Sequence, residues 1–179
     1  MKIETLQKSQ KEDELRGPIS RIAKSLFGFS YNERIASCKE ESISLFSHAK
    51  KSIMIVSGIL NHEFYNDQGV VTALKKAINN KVRVEIITGP EKDIDKESKE
   101  ILSLYEQGKI KIWSLPERLK LHFSVVDEKH VRLEYYHDDY KDESRAIIER
   151  DTIATADKQA REFIKLKQKA ELLKLNQAA

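Results

Sequence analysis

The stretch KLHFSVVDEKHVRLEYYH, Lys120 to His137, decides how the rest of the chain is read. LHFSVVD and HVRLEYYH alternate apolar and polar residues with a period of two, and Glu128-Lys129 between them fits a two-residue turn, which predicts a β-hairpin. In that register Asp127 pairs with His130, Ser124 with Leu133, His122 with Tyr135 and Lys120 with His137. Lys120, His122, Ser124 and Val126 then share a face with Val131, Leu133, Tyr135 and His137. Alternate residues on a strand lie roughly 7 Å apart and paired residues about 5 Å apart, so Lys120, His122 and His137 are expected to converge on one small anion. A neutral imidazole can attack phosphorus or move a proton, a lysine can neutralise developing charge, and a second imidazole can protonate a leaving oxygen, with no metal required. The plain alternative is a sheet end where Lys120 and His137 are solvated and His122 bonds locally.

Outward from the hairpin, strands and helices alternate. SIMIVSGI (52–59) and VRVEIITG (82–89) are β-branched runs on either side of GVVTALKKAINN (69–80), which has helical periodicity. A second helix over 94–107, a strand IKIWSLP (110–116), a strand RAIIER (145–150) and a closing helix over 154–175 complete the series. Upstream, residues 32–50 carry a helical apolar stripe, on which Cys38 and His48 read as structural. The order predicts an α/β fold, a mixed β-sheet sandwiched between helices. Ligands of such sheets bind beyond the carboxyl ends of parallel strands, here at Gly58 to Asn61 and Thr88 to Pro90. Residues 1–16 are charged and lack a stripe, whereas ISRIAKSLFG (19–28) suits a short amphipathic helix. The expectation is an N-terminal extension over 1–30, partly flexible, and a single domain over 31–179.

On these residues the sequence resembles the phospholipase D superfamily, which carries HxKxxxxD followed after six residues by a GSxN-like segment. The resemblance extends over roughly residues 32–175, and it implies a phospholipase D-like domain with a helical N-terminal extension. Within it Lys120 occupies the place of the family's nucleophilic histidine, His122 that of its phosphate-binding lysine, and Asp127 matches the aspartate. The basic letters are thus exchanged, and Glu134-Tyr135-Tyr136-His137 stands where GSxN would be. The position of the family's supporting glutamate falls near Arg145, so this glutamate is replaced as well. The resemblance implies a catalytic set of His122, Lys120 and His137 with Asp127 in support, and a phosphate site of Lys120, His122 and Tyr135. Because in-line attack loses about two orders of magnitude per Å of displacement, binding is expected to survive this exchange and hydrolysis to be weakened or lost. A single motif per chain implies a homodimer with a shared cleft. The rival reading is an active, metal-independent phosphodiesterase or nuclease working as a homodimer through a phosphohistidine intermediate. A third is a protein-interaction scaffold acting through residues 1–30.

Composition narrows the partners. The chain has 179 residues, 40% hydrophobic and 34% charged, enough for one domain with a sizeable core. A net charge of +3 is too small to mark a dedicated nucleic-acid coat. Cys38 is the single cysteine, which excludes an intramolecular disulfide or a cysteine metal cage. No cofactor or metal is expected: His62-Glu63 and His137-Asp138-Asp139 are far apart in sequence, and the second opens an acidic, turn-rich loop. The first residues lack the apolar core of a secretory signal, and no apolar run could span a bilayer, so a cytoplasmic location and no transmembrane segment are expected. The closing segment KQAREFIKLKQKAELLK (158–174) is net +4, and Tyr135, Tyr136 and Tyr140 could stack on bases. A phosphate-containing ligand, nucleic acid among the candidates, is the expected partner.

Overall fold

Ser52–Ser57 (β2) is β-branched and buried on both faces, and the sheet is built around it. The computed structural model describes residues 29–32, 35–94, 97–119, 122–134, 146–149 and 152–174. In chain order the remaining elements are β1 (Phe29–Asn32), α1 (Ile35–Ser47), α2 (His62–Tyr65), α3 (Gln68–Asn79), β3 (Arg83–Thr88), α4 (Lys99–Glu106) and β4 (Lys111–Ser114). They continue with β5 (His122–Val126), β6 (His130–Glu134), β7 (Ala146–Glu149), α5 (Ile153–Lys169) and β8 (Glu171–Leu172). The described strands form one sheet in the order β1-β7-β6-β5-β2-β3-β4-β8. β2, β3 and β4 run parallel; β5 joins β2 antiparallel, and the outer pairs are antiparallel as well.

Alternation along the strands separates two cores. Ile53, Ile55, Ile86 and Ile112 face Phe46, Leu74 and Ile101 from the first three long helices, whereas Met54, Ile87, Phe123 and Val125 face Phe163 of α5. This is the expected α/β sandwich. Burying a side chain such as Phe163 or Ile86 contributes about 2 kcal/mol, so the two layers and not the turns hold the sheet.

Several expected bounds change. Phe29–Asn32 is an edge strand paired with β7, within the stretch read as the end of an extension and the start of a helix. The second helix begins at Lys99 and not at 94, because Ile94 turns extended (φ −66, ψ 129) after the 3-10 turn Glu91–Asp93 and Ser98 holds the N-cap position of the helix. The closing helix stops at Lys169 and not at 175: Ala170 turns extended, Glu171–Leu172 pairs with β4, and Leu173 N–H donates to Ile112 C=O at 2.9 Å.

The hairpin register is the consequential correction. Val126 pairs with His130, Val125 with Val131, Ser124 with Arg132, Phe123 with Leu133 and His122 with Glu134, one residue away from the expected register. Left-handed backbone falls on Asp127 and Glu128 (φ 56 and 58), not on Glu128-Lys129, and Lys129 N–H closes the turn on Val126 C=O at 3.1 Å. A one-residue slip moves the whole second strand to its other face. His122 and Ser124 therefore share their face with His130, Arg132 and Glu134, and neither Leu133 nor Val131 lies beside them.

Candidate functional site

β2 ends at Ser57 beside the start of β5, which brings the backbone of Gly58 against the ring of His122. A Cβ on Gly58 would lie 2.8 Å from His122 Nε2, so the approach requires glycine. Gly58 N–H donates to that nitrogen at 3.2 Å. An N–H can only donate, so Nε2 accepts and the ring proton sits on Nδ1, which reaches Glu134 Oε2 at 3.3 Å. Gly58 C=O in turn accepts from Thr88 Oγ1 at 3.1 Å and from Gly89 N–H at 2.9 Å, which fixes the carboxyl ends of β2 and β3 together.

Glu134 also accepts, through Oε1, from the guanidinium of Arg132. That cation is nearly buried, with its side chain 8% exposed, and it lies over the Phe64 ring at 5.3 Å. The neighbouring Tyr65 is buried and bonded to Ser57; burial pushes its phenol above the usual range, with the Ser57 bond and the Arg132 charge opposing. Strands β2, β5 and β6 and helix α2 thus close a polar ring of Ser57, Gly58, His122, Glu134, Arg132 and Tyr65. Its members hold one another in place, as a pre-organised site needs. It lies at the carboxyl rim of the parallel strands, where the sequence placed a ligand.

Of the expected site residues, His122 is in this ring, whereas Lys120, Tyr135 and His137 lie outside the described residues, as do Tyr136, Tyr140 and the His137-Asp138-Asp139 run. Asp127 sits at the far end of β5, about 17 Å away by strand rise. There its carboxylate accepts from Lys50 N–H (3.1 and 2.9 Å), Lys51 N–H (2.7 Å) and Ser52 N–H (3.0 Å), pinning the hairpin turn to the start of β2. Arg132 and Glu134 were not singled out in the sequence, because the expected register placed them on the opposite face. His62 and Glu63 are exposed on α2. Among the described residues no group of three or more His, Cys, Asp or Glu could hold a metal ion. Nor is any described helix long and apolar enough to cross a membrane. His48 Nδ1 donates to Ser44 C=O at 2.8 Å, a local helix contact.

No protein-family model matches the sequence, and no curated protein matches it significantly. Solved structures do match. TrmBL2, described as an archaeal chromatin protein, superposes with a TM-score of 0.64 at 15% identity, over 96% of this chain and 65% of its own. Nuc of Salmonella typhimurium, described as a phospholipase D family member, gives 0.63 at 13% identity over 82% of this chain and 97% of that one. NucT from Helicobacter pylori gives 0.58 at 15% identity over 81% and 99%. The chain therefore spans about two thirds of TrmBL2 and nearly all of the other two. At these identities the likeness is one of fold, and the fold is phospholipase D-like.

Proposed function

We propose that this chain is a cytoplasmic phospholipase D-like domain that binds a phosphate or phosphodiester at the carboxyl rim of β2 and β3, with hydrolysis weakened or lost. The observation that carries the reading is the double engagement of His122. Attack on phosphorus needs a ring nitrogen with an available lone pair, and here Nε2 accepts from Gly58 while Nδ1 faces Glu134. A working phosphodiesterase built on His122 would have to break the Gly58 contact and reposition the ring, and displacement of about 1 Å is worth about two orders of magnitude in rate. Binding makes smaller demands than in-line attack, and Lys120, two residues before His122 in the sequence, is the cation we assign to the phosphate in this reading.

Nucleic acid is the source of phosphodiester we favour, supported by TrmBL2, a protein whose structure is described as showing a mode of DNA binding. A single motif per chain supports a homodimer, which would bring two copies of the rim to one cleft. The test has two arms. Duplex DNA should bind in a salt-sensitive manner, more weakly with Lys120→Ala, and a nitrophenyl phosphodiester should not turn over. Turnover that persists in chelator and disappears in His122→Ala would replace this reading with the enzyme. Sedimentation should give twice the chain mass of 20.7 kDa.

A further inference from the structure

β2, β3 and β4 send their carboxyl ends to the rim just described and their amino ends to the other, which is lined with cations. Lys50 and Lys51 lead into β2, Lys81 and Arg83 into β3, and Lys109 and Lys111 into β4, and all are exposed. Their backbones are tied side by side: Arg83 N–H donates to Lys51 C=O at 3.1 Å, and Lys111 pairs across the ladder with Glu85. Ser52, Val82 and Ile110 between them are buried, so the accessible surface is that of the basic side chains. The nearest carboxylates are engaged. Asp127 accepts from the amides of Lys50, Lys51 and Ser52, and buried Glu85 holds Lys167 at 2.8 Å and Arg83 at 3.6 Å. Glu106 and Glu128 are exposed near the ends of this row and leave it net positive.

Two features bear on what this rim can take. Elsewhere some lysines hold carboxylates, as Lys75 holds Glu100 at 2.9 Å, Lys99 holds Glu97 at 3.6 Å and Lys165 holds Glu162 at 3.7 Å, and others, such as Lys76, Lys92, Lys158 and Lys169, hold none among the described residues; the rim differs in setting its unpaired lysines side by side on adjacent strands. Among the described residues Lys50, Lys51, Lys81, Lys109 and Lys111 make no ion pair. The second feature is backbone strain at Lys81. Helices α3 and α4 end alike: Lys81 N–H donates to Ile78 C=O and Val82 N–H to Ala77 C=O, just as Gly108 N–H donates to Tyr105 C=O and Lys109 N–H to Leu104 C=O. The left-handed position is glycine in α4 (Gly108, φ 67) but lysine in α3 (Lys81, φ 64). Folding alone favours glycine at both, so the lysine at 81 is held against a conformational preference.

We propose that this amino-terminal rim is a second anion surface, taking the phosphate backbone of a nucleic acid. Strands about 4.8 Å apart set the three basic pairs in a row roughly 10 Å long, and a duplex carries one charge per about 1.7 Å of axis, so several phosphates can face the row at once. Lysine meets phosphate as a point charge and needs no bidentate geometry. An anionic membrane fits less well, because surface binding uses apolar side chains beside the cations, and Val82 and Ile110 are buried here.

The test uses the full chain and a labelled duplex of about 20 base pairs, with affinity measured between about 50 and 200 mM salt. Each neutralised lysine that contacts phosphate should reduce the slope of log K against log salt by about 0.9. Lys81→Gly combined with Lys50→Gln, Lys51→Gln, Lys109→Gln and Lys111→Gln should then lower the slope by about 4.5 and weaken binding by about three orders of magnitude at about 200 mM salt. Lys81→Gly alone should weaken binding while raising the melting temperature, which separates a lost contact from a lost fold. Binding of a nitrophenyl phosphodiester at the opposite rim should be unchanged in all these variants, so failure at either rim is distinguishable from failure at the other. A five-lysine variant that keeps the parent slope overturns the proposal, as does a parent that binds phosphatidylglycerol vesicles but not duplex.

Discussion

His122 is oriented from both sides, by a donor that cannot accept and an acceptor that cannot donate. Nitrogen NMR of the neutral ring should therefore show the proton on Nδ1 and an unprotonated Nε2; the reverse tautomer would mean that the Gly58 contact is not made in solution. Glu134 does a second job by facing the nearly buried Arg132. Glu134→Gln keeps the shape and removes the charge, and it should lower stability by about 2 kcal/mol, read as an earlier urea midpoint at constant slope. Tyr65 makes the same pocket sensitive to alkali. Burial raises its phenol above the ordinary 10.0, so the folded chain holds that proton more tightly than the unfolded chain does. The resulting stability is complete below about pH 10 and is lost as pH rises through the folded value. Midpoints measured from about pH 9 to 11 should fall for the parent and fall less for Tyr65→Phe. Tyr105, also raised by burial and by Glu91, contributes to the remaining decline.

At the scale of elements, the two helix ends that share a geometry but not a residue make a matched pair of substitutions. Lys81→Gly should raise stability by about 1 kcal/mol and Gly108→Ala should lower it by about the same, since each changes who occupies the left-handed position. Thermal melts of the two variants against the parent decide it. The hairpin shows what such local chemistry hides from a sequence reading. Alternation marked both strands, yet a period of two is equally satisfied by two registers that differ by one residue. Glu128-Lys129 looked central to the turn, whereas the turn is set by Asp127, whose carboxylate is bound by amides more than seventy residues away. A criterion was available in the letters themselves: the observed register pairs Phe123 with Leu133 and Val125 with Val131, apolar with apolar, and leaves His122 opposite Glu134 and Ser124 opposite Arg132. Matching polarity across the ladder would have found Arg132 and Glu134 as partners of His122.

For the whole molecule, the layer order was legible because it rests on alternation of strand and helix periods, which local sequence carries. Where an element stops is a tertiary matter: nothing in KAELLK announces that Glu171–Leu172 will leave the helix to complete the edge of β4. The attachment of α5 to the sheet was equally hidden. Lys167 reads as one more cation on a solvated face, but its ammonium lies 4.1 Å from the centre of the Trp113 ring and 2.8 Å from Glu85, a carboxylate whose side chain is only 9% exposed. Arg83 approaches the same carboxylate at 3.6 Å from the exposed side. If this pair joins the layers, removing Lys167 must be worse than removing both partners, because the nearly buried Glu85 then loses its closest cation while an apolar pair needs none. Lys167→Met should therefore destabilise by about 3 kcal/mol, whereas Lys167→Met with Glu85→Leu should recover most of that loss. Urea unfolding of the parent, both single variants and the double variant measures the coupling directly. Additive losses would mean that Glu85 is satisfied by Arg83 and solvent, and that α5 is held by Phe163 and its apolar neighbours alone.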